Sequence, residues 1–168
     1  MKPLEQGEKY VAVKPRKTKT EIPSSHIASY FHIVFSTKDR LRSIKPEWEP
    51  RLHSYMGGII RGMDGLALQI GGDEDHAHVL ASLKSKHRLD YLIRDLKADS
   101  SAWVHKEIKQ MFEWQKGCGA FSVSPTAVDS VRAYIANQKA HHAKADFKSE
   151  YFDLLTKAGV EFEERFLW

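Results

Sequence analysis

Asp75-His76-Ala77-His78-Val79-Leu80-Ala81-Ser82-Leu83 alternates side chains with the period of two that marks a β-strand. Ala77, Val79, Ala81 and Leu83 form a small apolar face suited to pack beneath helices. His76 and His78 project together from the opposite face, one pleat repeat apart. Two neutral imidazoles so placed can chelate one divalent metal, although a bare His-x-His can also simply decorate a strand.

Upstream, Phe31, Ile33 and Phe35 alternate with Tyr30, His32 and Val34, a second strand with one face on a core. Trp48 to Met63 reads as a helix stopped by Asp64-Gly65, and Leu66 to Ile70 as a short strand leading through Gly71-Gly72-Asp73 into the strand quoted above. Leu89, Leu92, Ile93, Leu96, Trp103 and Ile108 recur near helical spacing and predict a long amphipathic helix. Phe112 to Gln115 and Ala120 to Ser124 read as short strands around Gly117-Cys118-Gly119. A third helix starts with Ser124 as cap and Pro125 in its first turn and runs to about His142. A last one spans Phe147 to Ala158 and stops at Gly159. This order predicts an α+β sandwich, a mainly antiparallel sheet with helices on one face.

At 168 residues the chain is one domain with a tail, residues 26–168 preceded by a basic extension, 1–25, that reads as flexible. The extension holds six basic residues (Lys2, Lys9, Lys14, Arg16, Lys17, Lys19) against Glu5, Glu8 and Glu21, so it supplies +3 of the net +4. A basic balance favours a polyanionic partner, but this one is mild. No apolar run approaches the roughly 18 residues of a membrane span, and Met1 to Tyr10 holds no hydrophobic stretch of a secretory signal. The lone Cys118 excludes an internal disulfide. A cytoplasmic protein with no membrane partner is expected.

The second piece of chemistry is Val131-Arg132-Ala133-Tyr134-Ile135-Ala136-Asn137-Gln138. Tyr134 and Gln138 are four apart and share a helix face. A tyrosine can be a nucleophile and a glutamine carbonyl oxygen can ligate a hard metal; equally, Tyr134 could be a core residue and Gln138 a solvated one. Taken together and in order, several motifs resemble the single-tyrosine HUH transposases of bacterial insertion sequences, the IS200-like group. They are Phe31-His32-Ile33-Val34-Phe35-Ser36-Thr37-Lys38, Gly72-Asp73-Glu74-Asp75-His76-Ala77-His78, Leu96-Lys97-Ala98-Asp99-Ser100-Ser101, Gly119-Ala120-Phe121-Ser122-Val123-Ser124, and Tyr134-Ile135-Ala136-Asn137-Gln138 with His141-His142. Two features depart from the family pattern: the extension 1–25, and Cys118 where an aromatic residue is expected between the glycines.

The resemblance implies a ferredoxin-like (RRM-like) fold acting on single-stranded DNA with hairpin ends. It implies Mg²⁺ or Mn²⁺ held by His76, His78 and Gln138, and Tyr134 as a nucleophile that forms a 5′-phosphotyrosine link. It also implies a homodimer in which the tyrosine of one subunit serves the histidines of the other. Lys38, Arg40, Arg42, Lys84, Lys86, Arg132, Lys139, His141 and His142 are candidates for DNA contacts. Asp73, Glu74 and Asp75 read as turn formers or as groups that tune the histidines, and Trp48, Trp103 and Trp114 as core or interface residues. Two further readings are a domesticated relative acting on chromosomal repeat hairpins and an inactive DNA-binding module on the same fold.

Overall fold

The apolar faces read above find their partners on the two sides of one sheet. The structure, a computed structural model, describes residues 26–142 and 146–167; the expectation for 1–25 lies outside the described residues. Four strands, β1 (Tyr30–Ser36), β2 (Leu66–Asp73), β3 (His76–Ser82) and β4 (Gly119–Val123), form an antiparallel sheet in the order β2-β3-β1-β4. Helix α1 (Glu49–Gly62) links β1 to β2, and α2 (Leu89–Trp103), prolonged by one wider turn over Val104–Ile108, links β3 to β4. This βαββαβ order is the ferredoxin-like sandwich expected from the sequence.

Alternation decides what each face buries. Ile33 and Phe35 of β1 and Ala77, Val79 and Ala81 of β3 turn to α1 and α2, where they meet Leu52, Met56, Ile60, Leu92 and Leu96, all buried. Burying side chains of this size is worth roughly 1.5–3 kcal/mol each, so this layer is the main source of stability. The opposite face is covered as well: Val34 packs against Phe147, Tyr151 and Leu155 of α5 (Phe147–Lys157). Helix α3 (Val128–Ala136) and the short α4 (Gln138–His142) lie over β2 and β3 on the same side as α5. Among the described residues no helix is long and apolar enough to cross a membrane.

Four local expectations change. Strand β2 continues through Gly71 and Gly72 to Asp73, beyond the predicted end at Ile70. Phe112 to Gln115 forms no strand, only a single bridge between Thr37 and Trp114. There Phe112 and Trp114 are buried against the core, and the Trp114 indole N–H donates to Ser100 Oγ at 2.9 Å. The third helix is broken: Asn137 leaves helical geometry (φ −100°, ψ 16°) between α3 and α4. Ser124 makes no capping bond and pairs instead with the Thr126 hydroxyl. Pro125 opens a 3₁₀ turn that precedes α3.

Candidate active site

The face of the sheet turned to α3 and α5 collects His76 and His78, which the alternation predicted would share it, and adds His32 of β1. In the register, His78 lies beside Val34 on one side and Gly71 on the other, and His76 beside Ser36 and Asp73. His76, His78 and His32 are all buried. Helix α3 can press onto this layer because β2 carries a glycine where the two meet: a Cβ on Gly71 would stand 2.4 Å from the carbonyl oxygen of Ile135. Ile135 is the residue next to Tyr134, so this contact sets the position of the tyrosine.

Helix α5 supplies what the sequence reading missed. Asp146 caps it by accepting from the Ser149 amide at 2.8 Å. Phe147 then lies flat on His76, ring centroids 4.2 Å apart and 10° from parallel. One turn later Glu150 enters the site. Its ligand atom and those of His76 and His78 all lie within 4.8 Å of one another, and all three residues are buried. The Glu150 Oε1–His78 Nε2 distance is 3.5 Å. Burial, with the nearby negative charge of Asp75 second, pushes the Glu150 carboxyl up to about 8. A visible signal existed: Glu150 falls on the apolar stripe Phe147–Tyr151–Leu155 of an otherwise amphipathic helix, where a carboxylate costs energy unless something uses it.

Each histidine is oriented from behind. The Asp75 Oδ1 accepts from His76 Nδ1 at 2.7 Å, which fixes the proton there and makes Nε2 the lone-pair atom. Burial opposes the Asp75 charge, but the hydrogen bonds from His76 and Arg40 and the positive charge of Arg40 outweigh it and hold Asp75 below the usual carboxylate range. Arg40 Nη2 donates to Asp75 Oδ2 at 3.3 Å. On the other histidine, Nδ1 of His78 pairs with Nε2 of His32 at 2.8 Å. Burial drives the His32 pKa down to about 4, so His32 is neutral and the pair shares one N–H. Supports of this kind set tautomer and ring orientation in metal sites.

Tyr134 and Gln138 both reach the site in spite of the helix break. The half-buried Tyr134 ring stands edge-on to His78 at 6.0 Å and to His32 at 6.1 Å. Gln138 is buried, and its Nε2 donates to Glu150 Oε1 at 3.0 Å. Within the single chain described, Tyr134 stands beside that chain's own histidines.

The candidate DNA-contacting cations are each engaged with a carboxylate. Lys38 pairs with Glu113 at 2.6 Å, Arg42 with Glu74 at 2.7 Å and Arg132 with Asp129 at 3.8 Å. Lys84 and Lys86 both reach Asp64, and Lys139 bonds the buried Glu49. Arg40 serves Asp75 as described. His141 and His142 end α4, and their side chains lie outside the described residues.

A mixed set of two imidazoles and a carboxylate, with an amide beside it, is chemistry that fits a divalent cation. No curated protein matches the chain. A protein from Deinococcus radiodurans assigned as a transposase shares the fold with a TM-score of 0.57 at 18% identity, over 70% of this chain and 96% of that one. A REP-associated tyrosine transposase, solved bound to a REP hairpin, superposes with a TM-score of 0.56 at 12% identity, over 88% of this chain and 90% of its own. Residues 25–138 match the family described as Transposase IS200 like, a span that takes in the whole βαββαβ core, both histidines and Tyr134 and ends on Gln138. This protein therefore belongs to the IS200-like transposase family.

Proposed function

We propose that the protein cuts and rejoins single-stranded DNA at hairpin-bearing ends, with Tyr134 as the nucleophile and His76, His78 and Glu150 as the ligands of a divalent cation. The observation that carries this reading is the convergence of Tyr134, 6.0 Å ring to ring from His78, on the His76–His78–Glu150 cluster. Of the two expected cations, Mn²⁺ suits the two nitrogen donors better than Mg²⁺, which prefers oxygen. A cation held there would offset the charge that builds on the scissile phosphate.

The chain's own residues account for the rest. Gln138 holds Glu150 through its amide N–H, and His32 and Asp75 hold the two histidines with Nε2 facing inward. In the cleavage step the Tyr134 Oη–P bond forms and the P–O3′ bond breaks; the phenol loses one proton and the leaving 3′ oxygen gains one. An unperturbed phenol has a pKa of about 10, so activation near the cationic site is required at neutral pH. The phosphotyrosine diester conserves the bond energy, and a second 3′-OH can reverse the step without ATP.

Hairpin recognition is supported by the structural neighbour solved on a REP hairpin, which also favours keeping the domesticated reading, the same chemistry at chromosomal repeat hairpins. Two ends must be held for strand exchange, so we retain the homodimer, with each Tyr134 serving its own subunit's histidines. The test uses single-stranded DNA carrying a hairpin, with and without Mn²⁺. Cleavage should require the cation, disappear in Tyr134→Phe while binding persists, and spare the fully paired duplex of the same sequence. Metal-independent cutting, or efficient cutting of the duplex, would reject the proposal.

A further inference from the structure

The sheet face away from Tyr134 carries a second surface that no part of the cleavage chemistry uses. On the outer side of α1 and α2 lies an open groove of about 780 Å³ whose lining includes Arg51, Tyr55, Gly58, Arg61 and Trp103 and no carboxylate. The charge pattern is unusual for this protein. Arg40, Arg42, Arg88, Arg94, Arg132 and Arg165 each pair with a carboxylate. Arg51 and Arg61 pair with none among the described residues.

The aromatic residues between them are arranged for stacking. Tyr55 stacks on Trp103 with centroids 5.4 Å apart and 22° between planes, and remains 38% exposed. The Arg51 guanidinium lies 5.4 Å from the Trp103 ring centroid. Trp103, partly buried against the core, thus backs a rigid platform whose outer ring is Tyr55. At the other end the Arg61 guanidinium passes over Gly58, 3.9 Å from where a Cβ would be, so the groove floor there is bare backbone. The two arginines are ten positions apart on one helix, about 15 Å along its axis.

A platform of this kind, with a cation at each end and an exposed aromatic between them, is suited to a strand whose bases are unpaired. Two phosphates meet the guanidiniums and one base lies on Tyr55. The geometry points to a second DNA contact: the α1–α2 groove binds a single-stranded stretch of two or three nucleotides adjoining the hairpin, on the face of the sheet opposite the cleavage site. This rests on the proposed action on single-stranded DNA and adds a recognition site to it.

The test uses the full chain in a Tyr134→Phe background and two fluorescent probes, a hairpin with a single-stranded tail and the same hairpin without one. The paired change Arg51→Gln/Arg61→Gln should weaken binding of the tailed probe about tenfold near physiological salt. It should lower the log–log salt slope by about 1.4, the counterion release of two single-strand phosphate contacts. Tyr55→Ala should weaken the same probe by at least about fivefold, and the blunt hairpin should bind all variants alike. Independently of any variant, a photoreactive 5-iodouracil in the tail should crosslink to Tyr55 or Trp103. Unchanged affinity and slope in folded variants, or tail crosslinks confined to the α3–α5 side, would overturn the groove. A parent protein that binds no single-stranded DNA would instead overturn the proposed function itself, so the two failures are separable.

Discussion

Replacing Glu150 with glutamine should make the metal-free protein more stable and the metal-loaded protein less so. The carboxyl is 5% exposed and keeps its proton up to about 8, whereas the unfolded chain loses it near the ordinary glutamate value. Between these two values the native state binds the extra proton, so native stability falls as pH rises across that window and levels off above it. At about pH 7 the penalty is on the order of 3 kcal/mol. Glu150→Gln keeps the shape and the acceptor for the Gln138 amide and removes the penalty. Without metal it should raise the melting temperature by several degrees, on the order of 10 °C at most, near neutral pH, with little effect near pH 4, where both states of the parent are protonated. Millimolar Mn²⁺ should reverse the order, because binding requires the carboxylate and stabilises only the parent strongly. Thermal melts at acid, neutral and mildly alkaline pH, with and without Mn²⁺, read all of this. A variant less stable than the parent without metal at neutral pH, or stabilised equally by Mn²⁺, would exclude Glu150 as a buried carboxyl that binds the cation.

His32→Phe removes the partner of His78 Nδ1 and should weaken Mn²⁺ binding by about 10–100-fold, measured by calorimetry, while the far-ultraviolet circular dichroism stays native. Gly71→Ala places a methyl 2.4 Å from the Ile135 carbonyl; it should displace α3, cost about 1–3 kcal/mol in denaturant melts and slow adduct formation more than it weakens DNA binding. Tyr134→Phe protein mixed with His78→Ala protein should stay inactive after subunit exchange, because Tyr134 stands beside its own chain's His78. Recovered cleavage would show a site shared between subunits.

Where period and burial coincide, the sequence was legible. The alternation of β1 and β3 put the histidines on one face and the apolar residues on the other, and the structure buries Ala77, Val79 and Ala81 as that pattern required. The apolar stripe of α2 was equally plain. Phe112–Gln115 misled because alternating aromatics look the same whether they pair in a ladder or anchor a loop. Here the Lys97 ammonium donates to the carbonyls of Gln115, Lys116 and Gly117, which leaves them outside sheet pairing. The break at Asn137 was hidden because no Pro or Gly marks it; the Asn137 side chain bonds the Ala133 carbonyl at 2.9 Å and ends α3 locally. Neither the link from His32 to His78 nor the place of Glu150 shows in local spacing. His32 is 46 residues from His78 and reaches it through the β1–β3 pairing, and Glu150 comes from a helix after the matched family span, so only the closing of the second layer over the sheet brings it to the site.

In the proposed reaction Tyr134 carries the DNA during strand breakage. Incubating the protein with hairpin-bearing single-stranded DNA and Mn²⁺, denaturing it, digesting with nuclease and protease, and sequencing the modified peptide by mass spectrometry tests this directly. One nucleotide-modified peptide spanning Tyr134 is expected, with a 5′-phosphate ester on the phenolic oxygen, formed only with the cation. A covalent link at any other residue, or cleavage with no covalent species formed, would contradict that role of Tyr134.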